Sequence, residues 1–176
     1  VDGAGNPGGG TVNANVLAAL TDRSVYLGQG TNYVGFPLVL DPDELLALLN
    51  QQVTSVNPAL ATALGGTVKL SDVIESVYSH TGGVSGAFHV YLPGDGVDTL
   101  TSVSPFDGLI VNVRASIEVG GNAIPVFTTG TVSGSTVQVP IKWNAAGVFQ
   151  QSGAALPPSK DFSAGFNLWS PHATVD

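Results

Sequence analysis

The 176-residue chain contains no cysteine and no methionine. Without cysteine it has no disulfide framework, no thiolate zinc site and no cysteine nucleophile. The compartment stays open on that ground, because many exported proteins also lack cysteine. Without methionine even at position 1, the numbering is expected to begin at a processed or trimmed end, after a removed signal peptide or a removed initiator. Charge is scarce as well. Asp, Glu, Lys and Arg make up 10% of the residues, against about 25% in an average globular domain. Only five bases occur, Arg23, Lys69, Arg114, Lys142 and Lys160, and each stands alone. A phosphate backbone is neutralised by clustered Lys and Arg, so this pattern argues against a nucleic-acid partner. No apolar run approaches the roughly 18 residues of a spanning helix, and no transmembrane helix is expected.

What the chain has instead is apolar and small polar residues. The apolar fraction is 43%, the mean hydropathy is +0.29 and the net charge is −8. A surface this poor in charge is built from Ser, Thr, Asn, Gln and Gly, or it is covered by a partner. Both readings suit a protein that is extracellular or at a cell surface, or one that sits in an assembly. The length fits one domain with a core of its own. The expected division is a Gly-rich leader over 1–10 and a single β-rich domain over 11–176.

The leader VDGAGNPGGG contains G-x-G-x-x-G at Gly3, Gly5 and Gly8. A dinucleotide fingerprint needs a strand before it and a helix opening inside it, so that the pyrophosphate meets the helix N-terminus. Two residues precede this one, Pro7 lies inside it, and no P-loop lysine follows. It reads as an extended or flexible segment leading into TVNANVLAAL (11–20), where Val12, Ala14 and Val16 alternate as in a strand.

Further strands are expected at SVYLG (24–28) and YVGFPLVL (33–40), joined by a hairpin turn at GQGTN (28–32). DPDELLALLNQQ then carries the signature of a helix start: Asp41 as cap, Pro42 at the first helical position, and Glu44 placed to reach back to the cap amide. NPALATALGG repeats it, with Asn57 as cap, Pro58 next and Gly65 as a left-handed stop. SDVIESVYSH (71–80) reads as a third short helix capped by Ser71, with a strand as the alternative. From AFHVYL (87–92) onward the pattern is β. LIVNVRASIEV (109–119) alternates strictly, Gly120-Gly121 and Ser133-Gly134 are hairpin turns, and STVQVPIKW (135–143) sets Val137, Val139, Ile141 and Trp143 against Gln138, Pro140 and Lys142. These segments predict a three-strand antiparallel meander, with Pro125 and Pro140 at edges because neither can donate to a ladder. AGFNLWS (164–170) is a last strand candidate. Strands, a helical insertion at about 41–80, and more strands make the fold class mainly β, an antiparallel sandwich or jelly-roll-like domain.

Chemistry-bearing residues are few. His80, His89 and His172 show no metal-ligand spacing, although His80 and Glu75 would meet across one helical turn. A hydrolase site would have to be built around one of these histidines. No cofactor is expected. Asp95, Asp98 and Asp107 could offer oxygen ligands to calcium, but Asp-Gly also simply makes turns. Trp143, Trp169, Tyr33 and Tyr91 are candidate stacking platforms for a carbohydrate or other ligand. The leading expectation is a non-enzymatic structural protein that forms a homo-oligomer or polymer. Its contacts are expected from an N-terminal strand through Val12, Ala14, Val16 and Leu17, and from the edges near Pro125 and Pro140.

Overall fold

The computed structural model describes residues 22–35, 42–96, 98–101, 108–146 and 164. The strand expected at 11–17, the cap Asp41 and the segment 165–170 lie outside these residues. The chain is mainly β, with antiparallel sheets and three short helices among the described residues. Strand β1 (Asp22–Leu27) and strand β2 (Gly30–Gly35) fall where β-branched and aromatic residues cluster. They do not form the expected hairpin. The reason is Asn32, whose side chain does the work of a turn partner. Its Oδ1 accepts from the Gly28 amide at 2.8 Å, and its Nδ2 donates to the carbonyls of Gly28 and Gly30, each at 2.9 Å. The Gly28 amide and the Gly28 and Gly30 carbonyls are satisfied locally, and the chain turns a corner and passes from one sheet into another.

Helix α1 (Pro42–Leu49) buries Leu48 and Leu49 and leaves Leu46 exposed. A short strand, β3 (Val53–Thr54), leads to helix α2 (Pro58–Ala63), which forms as its sequence dictates. The Asn57 side chain accepts from the Ala59 amide at 2.9 Å, and Pro58 occupies the first turn, where no amide is needed. Gly65 ends the helix at φ +83°; its amide donates to the Thr62 carbonyl, and that of Gly66 to the Ala61 carbonyl at 2.7 Å. This is the two-bond left-handed stop that glycine permits.

The helix expected over 71–80 is corrected by the structure. Helix α3 spans only Leu70–Val73, and it begins with the Lys69 amide donating to Asp72 Oδ2 at 2.7 Å rather than with a Ser71 cap. Ile74–His80 is strand β4, paired on both sides, with β5 (Phe88–Tyr91) and β6 (Gly108–Val113). Val73, Ile74 and Val77 all reach the core, and two flanking ladders outweigh a weak helical preference.

The long strand expected over 109–119 divides in two. Strand β6 stops because the Arg114 amide donates to the Val73 carbonyl at 2.9 Å and its guanidinium Nε to the Ile74 carbonyl at 3.0 Å. Strand β7 (Ser116–Val119) then pairs with β8 (Asn122–Pro125) across Gly120-Gly121. Strands β9 (Thr129–Val132) and β10 (Ser135–Gln138) pair across Ser133-Gly134. The expected meander is thus two separate hairpins. Between them the chain dips inward, burying Val126 and Phe127 against the helical block, where the Asn57 amide donates to the Val126 carbonyl. Strand β11 (Ile141–Ala146) closes a three-stranded sheet, β1–β11–β3, beside the four-stranded sheet β2–β6–β4–β5.

Both sheets feed one core. Leu27, Val53, Ile141 and Trp143 come from the first; Val34, Ile74, Val77, Leu109, Val111 and Val113 come from the second; Leu48, Leu49, Leu60 and Leu70 cap it. This is the arrangement of two open sheets sharing an interior, not of a closed barrel. Each fully buried aliphatic side chain contributes about 1.5–3 kcal/mol. No helix among the described residues is long and apolar enough to cross a membrane.

Candidate functional site

The four-stranded sheet has two faces, and its register sorts its residues between them. Val34, Leu109, Val111 and Val77 point into the core. On the opposite face, Tyr33 on β2 lies beside Ile110 on β6, Ile110 beside Tyr78 on β4, and Tyr78 beside Val90 on β5. Four strands therefore carry one apolar row. Phe88 extends it toward the β5 edge, meeting Tyr78 edge-on with ring centroids 6.4 Å apart and His80 at 4.6 Å. Tyr33 is 75% exposed and Phe88 56% exposed, large values for aromatic rings.

A second row lies alongside. Thr31, Asn112 and Ser76 occupy matching positions on β2, β6 and β4. Thr31 Oγ1 donates to Asn112 Oδ1 at 2.8 Å, and Asn112 Nδ2 donates to Ser76 Oγ at 2.9 Å. This outer face carries no Lys, Arg, Asp or Glu in either row.

The candidate stacking residues separate sharply. Trp143 is a correction: it is fully buried, its ring N–H donates to the Leu48 carbonyl at 3.2 Å, and it presents no face to a ligand. Tyr91 is also a core residue, 9% exposed, and burial followed by the nearby Asp98 charge pushes its phenol above the usual 10.0. Trp169 lies outside the described residues. Of the three described candidates, Tyr33 is the one that stands open on a sheet face. Tyr78 and Phe88 were not candidates from the sequence. The signal for Phe88 was the alternation of AFHVYL, while Tyr78 was hidden by the helical reading of 71–80.

The histidines do not assemble. His80 and Glu75 lie on a strand, not a helix, with His80 buried and Glu75 exposed. His80 Nδ1 accepts from the Gly82 amide at 2.9 Å. His89 pairs with Ser79 and therefore faces the opposite side of the sheet from His80; its Nδ1 lies 3.2 Å from the Thr99 carbonyl. His172 lies outside the described residues. Beyond His80, the loop 81–86 and Ala164 line an open cavity of about 450 Å³, and among the described lining residues the polar side chains are the hydroxyls of Thr81 and Ser85. Asp98 Oδ1 accepts from the Leu92 amide at 3.1 Å, a turn-making role. Asp95 sits in the same turn, and Asp107 lies outside the described residues, among which no group of three His, Asp or Glu is placed to hold a metal.

The expected assembly contacts divide in the same way. Val12, Ala14, Val16 and Leu17 lie outside the described residues. Pro125 ends β8, opposite Ser116, on a two-stranded sheet, and Pro140 lies between β10 and β11; both are exposed and outside any central ladder. The strand next to Pro140 is the more informative element. The hairpin β9–β10 turns with Ser133 at φ 49° and Gly134 at φ 81°, the paired positive angles of a tight two-residue turn. All four residues of β10 are exposed, and Val132 and Val137 stand in solvent. From Val119 to Ile141 there is no charged residue. In a two-residue hairpin, Val132 and Ser135 exchange bonds with each other. By alternation, the peptide groups of Thr129 and Thr131 on β9, and of Thr136 and Gln138 on β10, point away from the partner strand. The root of the hairpin is tied to the sheet corner by a pair of amides: Gln138 Nε2 donates to Gln29 Oε1 at 3.1 Å, and the Gln29 backbone N–H donates to Gln138 Oε1 at 3.3 Å. Comparison with family models, with curated proteins and with solved structures finds no match to this chain.

Proposed function

We propose that this chain is a non-enzymatic structural protein that assembles with further copies of itself by β-strand addition, at a cell surface or outside the cell. The observation that carries the proposal is the β9–β10 hairpin. Exposed edge strands are normally blunted by charge, by proline or by a covering element, since an open edge templates pairing with another chain. This hairpin is rich in Thr and Val and uncharged, and among the described residues each of its strands has one edge without a partner strand. Strand addition would supply main-chain hydrogen bonds along such an edge, and alternate side chains would supply specificity. The charge-poor composition supports the same reading, because a covered surface does not need charge.

The test uses the purified chain across a concentration series, followed by light scattering and sedimentation velocity. Wild type is expected to form oligomers or polymers. Thr136→Pro removes an amide that points away from the hairpin, so the hairpin ladder survives while the added strand loses a bond and meets a proline ring. That variant is expected to shift strongly toward monomer with unchanged far-UV circular dichroism. A wild type that stays monomeric at every concentration refutes the proposal.

A further inference from the structure

We propose that the strand added along the open edge of β10 is the segment 11–17 of a second copy of this chain. The inference rests on the strand-addition reading and names the occupant of that edge. The segment lies outside the described residues. Three observations favour it: the two faces of the acceptor edge, the alternation of the segment, and the length of chain that joins it to β1.

The acceptor comes first. Strand β10 pairs with β9 along one edge, and no described strand pairs with the other. Thr136 and Gln138 turn their peptide groups toward that open edge, and Pro140 closes it because proline has no amide to offer. The hairpin has two unlike faces. Val132 and Val137 share one, 60% and 38% exposed, and Thr136 and Gln138 share the other. A strand that suits both must alternate, with apolar residues on the valine side and small polar residues on the opposite side.

TVNANVL has that alternation. Val12, Ala14 and Val16 make one set, and Thr11, Asn13 and Asn15 make the other. Seated along β10, the first set would cover the exposed valines. The second would lie beside Thr136 and Gln138, where hydroxyls and carboxamides can bond to one another. The segment also solves an electrostatic problem. Each copy carries a net charge of −8, so two copies repel as they approach. Residues 3–21 carry no charge, and neither does the hairpin, so their joint brings no like charges into contact.

Chain length decides between a copy's own edge and its neighbour's. Strand β1 begins at Asp22, opposite Ala146, and ends at Leu27, opposite Ile141, about 17 Å nearer to β10. Just beyond Leu27, Gln29 is bonded to Gln138. The open edge therefore starts past the end of β1 that is remote from Asp22. Ala18, Ala19, Leu20 and Thr21 join Leu17 to Asp22, a link of at most about 18 Å when fully extended. To serve its own β10, the chain would have to double back at Asp22 and run the whole length of β1, and the reversal uses up part of the link. Leu17 falls short of Gln138. Residues 11–17 can lie together along β10 only when that β10 belongs to another copy.

The test exploits the absence of cysteine. Full-length Val137→Cys chain is mixed at low concentration with one of Val12→Cys, Asn13→Cys, Ala14→Cys, Asn15→Cys or Val16→Cys. Each mixture is then concentrated and mildly oxidised, and disulfides between unlike chains are counted by mass spectrometry. Directly opposed residues on adjacent antiparallel strands have Cα atoms about 4.5–5.5 Å apart, within the reach of a disulfide. At least one of the Val12, Ala14 and Val16 variants is expected to link to the Val137→Cys chain about tenfold more than Asn13→Cys or Asn15→Cys, whose side chains face the other way. A chain carrying both Ala14→Cys and Val137→Cys is expected to link between copies. A disulfide closed within a monomer overturns the proposal, because the segment then covers its own edge. Equal linking at all five positions overturns it too. If wild type polymerises and none of the five variants links, another segment occupies the edge: this proposal falls and strand addition stands. If wild type stays monomeric and nothing links, strand addition falls and this proposal with it.

Discussion

The Gly86→Ala substitution offers a sharp test of the packing around His80. A Cβ built on Gly86 would lie 2.3 Å from the Gly82 carbonyl oxygen, 2.8 Å from that carbonyl carbon and 2.5 Å from His80 Cε1. Two of these are backbone atoms, so no side-chain rotation relieves the clash. The loop has two responses. It can keep its shape and absorb the overlap, for which overpacking costs about 1–3 kcal/mol, with a contact this short at the upper end. Or it can open. Opening breaks the Gly82 amide bond to His80 Nδ1, the Thr81 amide bond to the Ala87 carbonyl at 3.1 Å and the Ala87 amide bond to Thr81 Oγ1 at 2.9 Å. At about 1 kcal/mol net for each bond, this route costs about 3 kcal/mol. Both routes converge on roughly 3 kcal/mol, a fall in Tm of about 6–12 °C for a domain of this size. The control is Gly65→Ala. Gly65 has φ +83° but open space around its Cβ direction, so only left-handed strain of about 1 kcal/mol is incurred. Urea unfolding followed by circular dichroism measures both. A Gly86→Ala cost under about 0.5 kcal/mol, or one smaller than that of Gly65→Ala, refutes the reasoning.

Other perturbations follow from the same geometry. Trp143→Phe removes the ring N–H that satisfies the Leu48 carbonyl and leaves a void in the core; a loss of about 2–3 kcal/mol in urea unfolding is expected, and near-neutrality would mean the core refills. Tyr91 gives a pH prediction. Its folded-state value is raised by burial and then by Asp98, so the folded state favours the neutral phenol. Its contribution is intact below the unfolded value near 10.0 and is lost as pH rises through the higher folded value. The stability of wild type should therefore fall more steeply than that of Tyr91→Phe across alkaline pH, and parallel curves would remove Tyr91 as the cause.

The parts of this fold that could be read from the sequence are those decided within a few residues. Asn57, Pro58 and Gly65 each act on amides or carbonyls of their own turn, and helix α2 forms between them. Ser133-Gly134 and Gly120-Gly121 make their hairpins for the same reason. What stayed hidden was decided at a distance. Nothing in GQGTN says that Asn32 will also donate to the Val111 carbonyl, 79 positions away, and hold a corner where a hairpin was expected. Nothing in LIVNVRASIEV marks Arg114 as the end of a strand, because its partners are Val73 and Ile74. The candidate site follows the same division. Tyr33 was recognisable as an aromatic on a strand. Its row with Tyr78 and Phe88 exists only through the register of four strands, two of them far apart in the chain. Trp143 went the other way: its alternation with Lys142 already placed it on an apolar side, and the helix α1 carbonyl that holds its ring completes its removal from any binding surface.

The paired amides of Gln29 and Gln138 have a mechanical consequence. Among the described residues, the β9–β10 hairpin is a lever fixed to the body by its covalent root and by this exposed pin. A pull on a strand seated along β10 would load the pin first, and the sheet corner at residues 28–30 behind it. Two exposed amide bonds yield at about 1 kcal/mol each and re-form on release. Ile141 and Trp143, just beyond Pro140, belong to the buried interior and yield far later. Under tension the hairpin would therefore swing as a spring-loaded arm while the core stays closed.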